Sequence, residues 1–301
     1  MAKQIKKIKL KGNESFNIRE GWLRKGMRNI IEYPNLFSRE DVMEILGVGS
    51  KMVKSIRFWL KATNLCQETI QGGNRARELH LTDDFGTIIY QYDPFFEDLF
   101  TLALTHYYIV ANKQELCPIW SIFFNEFDNE VFCREEMYEA CDSLLQKKLD
   151  QGVTYSKKSL QDDCSSILRM YLESDSEEDP EANLGSPFSE LRLIKKKGKG
   201  YYYRSAPPLE ALNNYALLYV IVQNMEKGKD HVSISDLWRA PDNIGRVFNL
   251  SRLSINEHLD QLKALGYITI NRTAGLDMVY IREDLSPSDI MVEYYKKAQA
   301  R

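Results

Sequence analysis

The chain has 301 residues and 35.1 kDa, with 44% apolar and 28% charged residues, enough for an ordinary globular core in about two or three domains. That balance excludes a disordered chain, a collagen-like repeat and a disulfide scaffold. The net charge of −3 hides an asymmetry: residues 1–80 carry 16 Lys/Arg against 8 Asp/Glu, residues 81–190 carry 7 against 23, and residues 191–301 carry 17 against 12, so basic ends flank an acidic middle.

Residues 1–17 read as a basic extended arm, and Met1–Lys7 has no apolar segment behind it to form a secretory signal. Arg19–Ile31 follows as a helix with Leu23, Met27, Ile30 and Ile31 on one side, broken at Pro34. Ser38 and Asp41 resemble a capping box for a helix through Val42, Ile45 and Leu46. Gly47-Val48-Gly49 then turns the chain, and Ser50 caps a helix reaching about Asn64. Leu65–Gln71 and Glu78–Thr82 are β-like runs around Gly72–Arg77, a hairpin signal. This order is that of a winged helix-turn-helix.

The acidic middle reads as helices: one from Pro94 through Tyr107, one from Pro118, then Arg134–Lys148 and Leu160–Glu173. Ser174–Pro187 is polar and acidic and is expected to be a mobile loop. Leu191–Ile194 and Tyr201–Arg204 frame a hairpin tipped by Lys195–Gly200. Towards the C-terminus, Leu209–Met225, Ile234–Arg239 and Arg252–Leu265 are helical, with strands at Tyr267–Arg272 and Met278–Arg282. Leu46–Ser50 aligns with Phe248–Ser251 and Ala62–Leu65 with Ala264–Tyr267, which suggests a second copy of the N-terminal unit. The expected fold is mostly α with small β-hairpins (α+β). It has a winged helix-turn-helix in residues 1–90, an acidic helical domain in 91–190 and a winged-helix-like domain in 191–301.

On a helical projection from Met52, the residues Met52, Val53, Ile56, Trp59 and Leu60 share one side. Lys51, Lys54, Phe58 and Lys61 fall opposite, flanked by Ser50 and Arg57. Cations suit phosphate oxygens and guanine edges, and Arg75 and Arg77 at the hairpin tip suit a minor groove or the backbone. The candidate nucleic-acid-binding residues are therefore Ser50, Lys51, Lys54, Arg57, Lys61, Arg75 and Arg77. The C-terminal counterpart turns Glu257 and Asp260 outward, which repels phosphate, so it reads as a packing, dimerisation or partner-docking module.

The sequence offers little to catalysis. His80, His106, His231 and His258 form no H-E-x-x-H or Cys-paired metal spacing, and His80 and His106 read as structural. There is no phosphate-binding G-x-x-x-x-G-K-[ST] loop, and the adjacent pairs Asp83-Asp84 and Asp162-Asp163 split across faces. The five cysteines read as reduced, partly buried thiols. The longest apolar stretches, Leu99–Ala111 and Ala216–Val222, fall short of the roughly 18–20 residues that span a bilayer. A non-enzymatic, cytoplasmic protein with no cofactor, no metal and no membrane contact is expected.

Gly12-Asn13-Glu14-Ser15-Phe16 with Arg19, Trp22-Leu23 and Lys25-Gly26 resembles the opening of a bacterial domain-of-unknown-function family, numbered 4007. The string Leu46–Leu60 and the block Ser186–Leu191 are similar to it as well. Asn13 departs from the family's His, so no ionisable group stands there. The resemblance implies a setting among DNA phosphorothioation and phage-defence genes. The expected function is a DNA-binding accessory subunit of such a system, with double-stranded DNA and the modification or defence proteins as partners. The acidic middle would dock a partner or mimic nucleic acid. The rival readings are a transcriptional regulator of the same operon, an interaction scaffold without DNA affinity, and a nuclease.

Overall fold

The computed structural model describes residues 5–71, 76–173, 185–209, 211–273 and 276–300. An extended segment leads into α1 (Trp22–Glu32), which turns Trp22, Leu23, Gly26, Met27 and Ile30 inward on one face. A 3-10 turn at Leu36–Ser38 precedes α2 (Val42–Leu46), so Ser38 ends a turn instead of capping a helix. Gly47, at φ +59°, ends α2 in the left-handed region that glycine enters without a Cβ penalty. α3 (Ser50–Ala62) buries Val53, Ile56, Trp59 and Leu60, and the antiparallel pair β1 (Cys66–Gln71) and β2 (Ala76–Leu81) sets Cys66 opposite Leu81. Gly26 lets α1 approach α3, since a Cβ there would stand 2.7 Å from Leu60 Cδ1.

Next come α4 (Phe85–Tyr92), a helix absent from the expected elements, and α5 (Leu99–Ala111). Pro94 does not begin α5. The Asp93 carboxylate instead accepts the Glu97 and Asp98 N–H groups at 3.1 Å, and Asp98 caps the helix by accepting from Phe100 N. Every residue of α5 from Phe100 to Val110 is buried, so this helix is the axis of the core.

The middle then runs α6 (Pro118–Asn125), β3 (Val131–Cys133), α7 (Arg134–Lys148), α8 (Lys157–Tyr171), a 3-10 turn (Pro187–Leu191), β4 (Ile194–Gly198) and β5 (Tyr201–Arg204). Its sheet order is β3-β5-β4. This corrects the expectation of a purely helical middle. The hairpin at Lys195–Gly200 pairs through Tyr201–Tyr203 with β3 instead of joining the C-terminal region. Three residues are too few for a period-2 pattern to announce β3. Of the expected mobile loop at 174–187, residues 174–184 lie outside the described residues.

The C-terminal part runs α9 (Asn214–Gln223), β6 (His231–Ser233), α10 (Ile234–Arg239), α11 (Ile244–Val247), α12 (Arg252–Ala264), β7 (Ile268–Thr273), β8 (Leu276–Ile281) and α13 (Pro287–Gln299). Its sheet order, β6-β8-β7, repeats that of the middle. The N-terminal likeness is visible in the backbone. Gly47 (φ +59°) matches Asn249 (φ +53°), and Asn64 (φ +58°) matches Gly266 (φ +79°). Each hairpin closes the same way, Thr82 N on Leu65 O and Arg282 N on Tyr267 O. The molecule is mixed α and β. Among the described residues, no helix is long and apolar enough to cross a membrane.

Polar joints tie these parts together. Buried His106 of α5 bonds Tyr171 Oη through Nδ1 (2.7 Å) and Val247 O through Nε2 (2.8 Å), and burial lowers its pKa to about 4, which keeps it neutral. Arg204 donates to the carbonyls of Phe124 and Phe127 and to Asn249 Oδ1, and Asn249 in turn donates to Leu193 and Ser205. The N-terminal arm is anchored on the middle. Ile5 bridges the end of α7, and both Asp163 oxygens accept the Lys11 N–H at 3.0 and 3.1 Å. Asn13 and Asn17 donate to Ser166. From Lys11 to Asn17 the expected basic arm is thus packed onto α8, while Lys6, Lys7 and Lys9 are exposed.

Candidate nucleic-acid interface

The helix α3 hangs on a rigid support. Trp59 Nε1 and Ser55 Oγ both donate to Phe16 O, at 2.9 and 3.2 Å, and Trp59 meets Trp120 edge-on at 5.6 Å. These contacts fix the rotation of α3, and with it which side faces out. Ser50, Lys51 and Lys54 are exposed on that side. No carboxylate among the described residues lies within ion-pair distance of Lys51 or Lys54, and like charges one turn apart repel by a few tenths of a kcal/mol. Ser50 is the first helical residue, not the cap. The cap position is Gly49, which has no side chain to offer, and the first turn contains no acid. The positive end of the helix therefore meets solvent with its N–H groups open and Lys51 beside them, an arrangement suited to an oxyanion.

The rest of the expected face is different. Arg57 is bonded to Glu68 of β1, and Lys61 reaches the same carboxylate at 3.2 Å. Burial works against ionisation of Glu68, but Arg57 and then Lys61 outweigh it and hold its pKa below the usual carboxylate range. Arg57 and Lys61 thus share one carboxylate within the fold and join α3 to the hairpin, unlike Lys51 and Lys54. The reason is strand geometry. The register that sets Glu68 opposite Leu79, whose side chain is buried, brings the carboxylate back over the helix. A sequence scan for cations could have found this by asking which acid on the next strand faces them. Phe58 also leaves the exposed set, since the arm lies on its ring and a Cβ on Gly12 would stand 2.4 Å from Cε2.

Arg77 is exposed on β2, while Arg75 lies outside the described residues. Lys25, absent from the expected set, donates from Nζ to Leu46 O at 3.0 Å, which places a further cation at the end of α2. The side chains at hand are thus Ser50, Lys51, Lys54, Arg77 and Lys25.

The C-terminal counterpart carries the opposite character. α12 is capped by Ser251, and Glu257 and Asp260 are exposed as expected. Leu253 is 70% exposed. Arg252 pairs with Asp277 (2.7 Å), and Arg272 lies 3.7 Å from Asp260.

Four of the five cysteines are buried, and Cys133 is half-buried. His80 Nε2 lies 3.2 Å from Glu78. Among the described residues, no three His, Cys, Asp or Glu side chains stand together so as to hold a metal ion.

The family described as "Protein of unknown function (DUF4007)" matches residues 10–295. The chain belongs to this family. Two solved structures share its fold. A magnesium ion-bound SspB crystal structure superposes with a TM-score of 0.84 at 21% identity, covering 97% of this chain and 89% of that one. A second SspB crystal structure does so with a TM-score of 0.83 at 21% identity, over the same shares of the two chains. No curated protein matches the chain. The DUF4007 match extends over nearly the whole chain and includes the arm from residue 10, α3 and the Ser186–Leu191 turn.

Proposed function

We propose that this DUF4007 chain is a non-catalytic, duplex-DNA-binding accessory subunit of a cytoplasmic DNA phosphorothioation or phage-defence system. In this reading α1–α3 with β1 and β2 act as a winged helix-turn-helix, α3 being the helix presented to DNA. The observation that carries it is the open N-terminal half of α3, where Lys51 and Lys54 have no carboxylate partner among the described residues, beside uncapped N–H groups. Lys25 lies near that end and Arg77 is exposed on β2, and most of these contacts would grip phosphate instead of reading bases. The system is suggested by the family's setting.

The test is electrophoretic retardation of a duplex at low salt with the Lys51→Glu, Lys54→Glu double variant. Loss of retardation in a folded variant is the expected outcome, and unchanged affinity rejects this face as the binding surface. An operon regulator would instead prefer one promoter by on the order of 10³ over random DNA. A scaffold would retain partner proteins after nuclease treatment and show no salt-dependent DNA binding.

A second reading, a magnesium-dependent nuclease, is favoured by the magnesium ion in one of the similar structures. Plasmid nicking or cleavage on adding Mg²⁺ or Mn²⁺, absent with chelator, would replace the non-catalytic reading.

A further inference from the structure

Away from α3, three arginines converge on one cavity. Arg134 opens α7, Arg169 lies in the last turn of α8, and Arg19 ends the arm, and all three line a cavity of about 360 Å³. None makes an ion pair among the described residues. Arg134 Nε donates to Tyr202 Oη at 3.2 Å, Arg169 Nη2 donates to Ser166 Oγ at 3.1 Å, and Arg19 stacks over Trp22 at 5.5 Å. Those contacts use few of the guanidinium donors, which leaves N–H groups free for a ligand. Burial lowers the pKa of Arg169, and the nearby Asp162 opposes this more than Arg134 adds to it.

The opposite wall supplies a second, independent observation. Ser186 is 6% exposed, and among the described residues its Oγ has no hydrogen-bond partner. Its carbonyl accepts from Ser189, while the buried hydroxyl belongs to a residue that lines the cavity. A buried hydroxyl without a partner costs on the order of 1–3 kcal/mol, which a ligand or water at the wall would recover. The carboxylate on the rim, Glu173, faces Arg192 at 3.8 Å. The arm and the Ser186 turn, two of the segments by which the sequence resembles its family, thus meet across a site that the duplex-binding face does not use.

We propose that this cavity binds a phosphate group. Arg134 and Arg169 supply paired N–H donors to its oxygens, Arg19 adds charge, and the Ser186 hydroxyl donates the bond it otherwise lacks. Guanidinium forks match phosphate in two-point contacts. The volume exceeds what a single phosphate fills, so the group can arrive free or attached to a nucleoside.

The experiment is titration calorimetry on the full chain with inorganic phosphate at constant ionic strength. Saturable one-site binding is expected, weakened at least about tenfold by Arg169→Gln, with partial recovery in Arg169→Lys. Ser186→Ala should weaken binding a few-fold. Melting curves check that each variant is folded. A 5′-phosphorylated dinucleotide and a free mononucleotide are then titrated as competitors. Displacement by the dinucleotide alone assigns the phosphate to a nucleic-acid end, and displacement by the mononucleotide assigns it to a small molecule. Absence of saturable binding by all three probes, or unchanged binding in folded Arg169→Gln, overturns the site. Lys51→Glu, Lys54→Glu should leave phosphate binding intact, which separates this site from the duplex face.

Discussion

The helices α3 and α12 are both 13 residues long, both follow a turn with a left-handed residue, and both lead into an antiparallel hairpin. Their outer faces differ. α3 is uncapped and shows Lys51 and Lys54, whereas α12 is capped by Ser251 and shows Leu253, Glu257 and Asp260. The middle helix α8 is different again, for its Asp163 and Ser166 are covered by the arm. The lesson is that backbone arrangement alone says little about a partner. Which side chains remain without an internal partner decides what each unit can meet.

The largest effect should come from reversing the open end of α3. The Lys51→Glu, Lys54→Glu pair should lower duplex affinity by on the order of 10² or more at low salt and reduce the salt slope by about two. Equal slopes in variant and parent would erase the distinction from α12. A smaller effect, of opposite sign, is expected for Glu68→Gln, which frees Arg57 and Lys61. Duplex affinity should rise several-fold, and the salt slope should steepen by up to about two. The pair is partly shielded, so stability should fall by only about 1 kcal/mol or less, measured by urea unfolding. On α12, Glu257→Ala with Asp260→Ala should change duplex affinity less than about twofold. A large gain would show that those acids hold DNA away from a surface otherwise able to bind it.

The smallest effect concerns the covered helix. Burial raises the pKa of Asp163 to about 7, with the Lys11 N–H acting against it and Asp162 in support. The folded chain then holds this proton more tightly than the unfolded chain, whose carboxyl titrates near 4. The stabilisation is complete below the unfolded value and is lost as pH rises through about 7. Relative to Asp163→Asn, the parent should lose stability as pH rises from about 5 to 8, read as the difference between the two sets of urea midpoints. His106 and His258, both lowered to about 4, give an opposing slope between about pH 4 and 7.5 that is common to the two proteins and cancels in the difference. A difference that stays constant over that range would mean that the arm does not bury Asp163.

Much of the fold is legible in the amino-acid sequence, and the reasons are local. Apolar spacing places the inward face of α3, Gly47 marks the turn, Pro118 begins α6, and the helix expected at Ile234–Arg239 has those same bounds in the structure. The alternating hairpin signals locate β1 with β2 and β7 with β8 within a few residues. The outward acids of α12 follow from the same projection.

Other features need contacts between distant residues. β3 and β6, of three residues each, exist because their partner strands are present. The hairpin Ile194–Arg204 can be drawn from sequence, but only pairing with Val131–Cys133 assigns it to the middle. The cations of α3 can be counted from residues 51–61, yet Glu68 divides them into two that are open and two that are answered. The arginine cavity joins residues 19, 134, 169 and 186, which no spacing rule connects. Periodicity and turn chemistry act over a few residues and are written in the chain. Charge neutralisation, strand partnership and cavity shape depend on distances that exist only once the chain has packed.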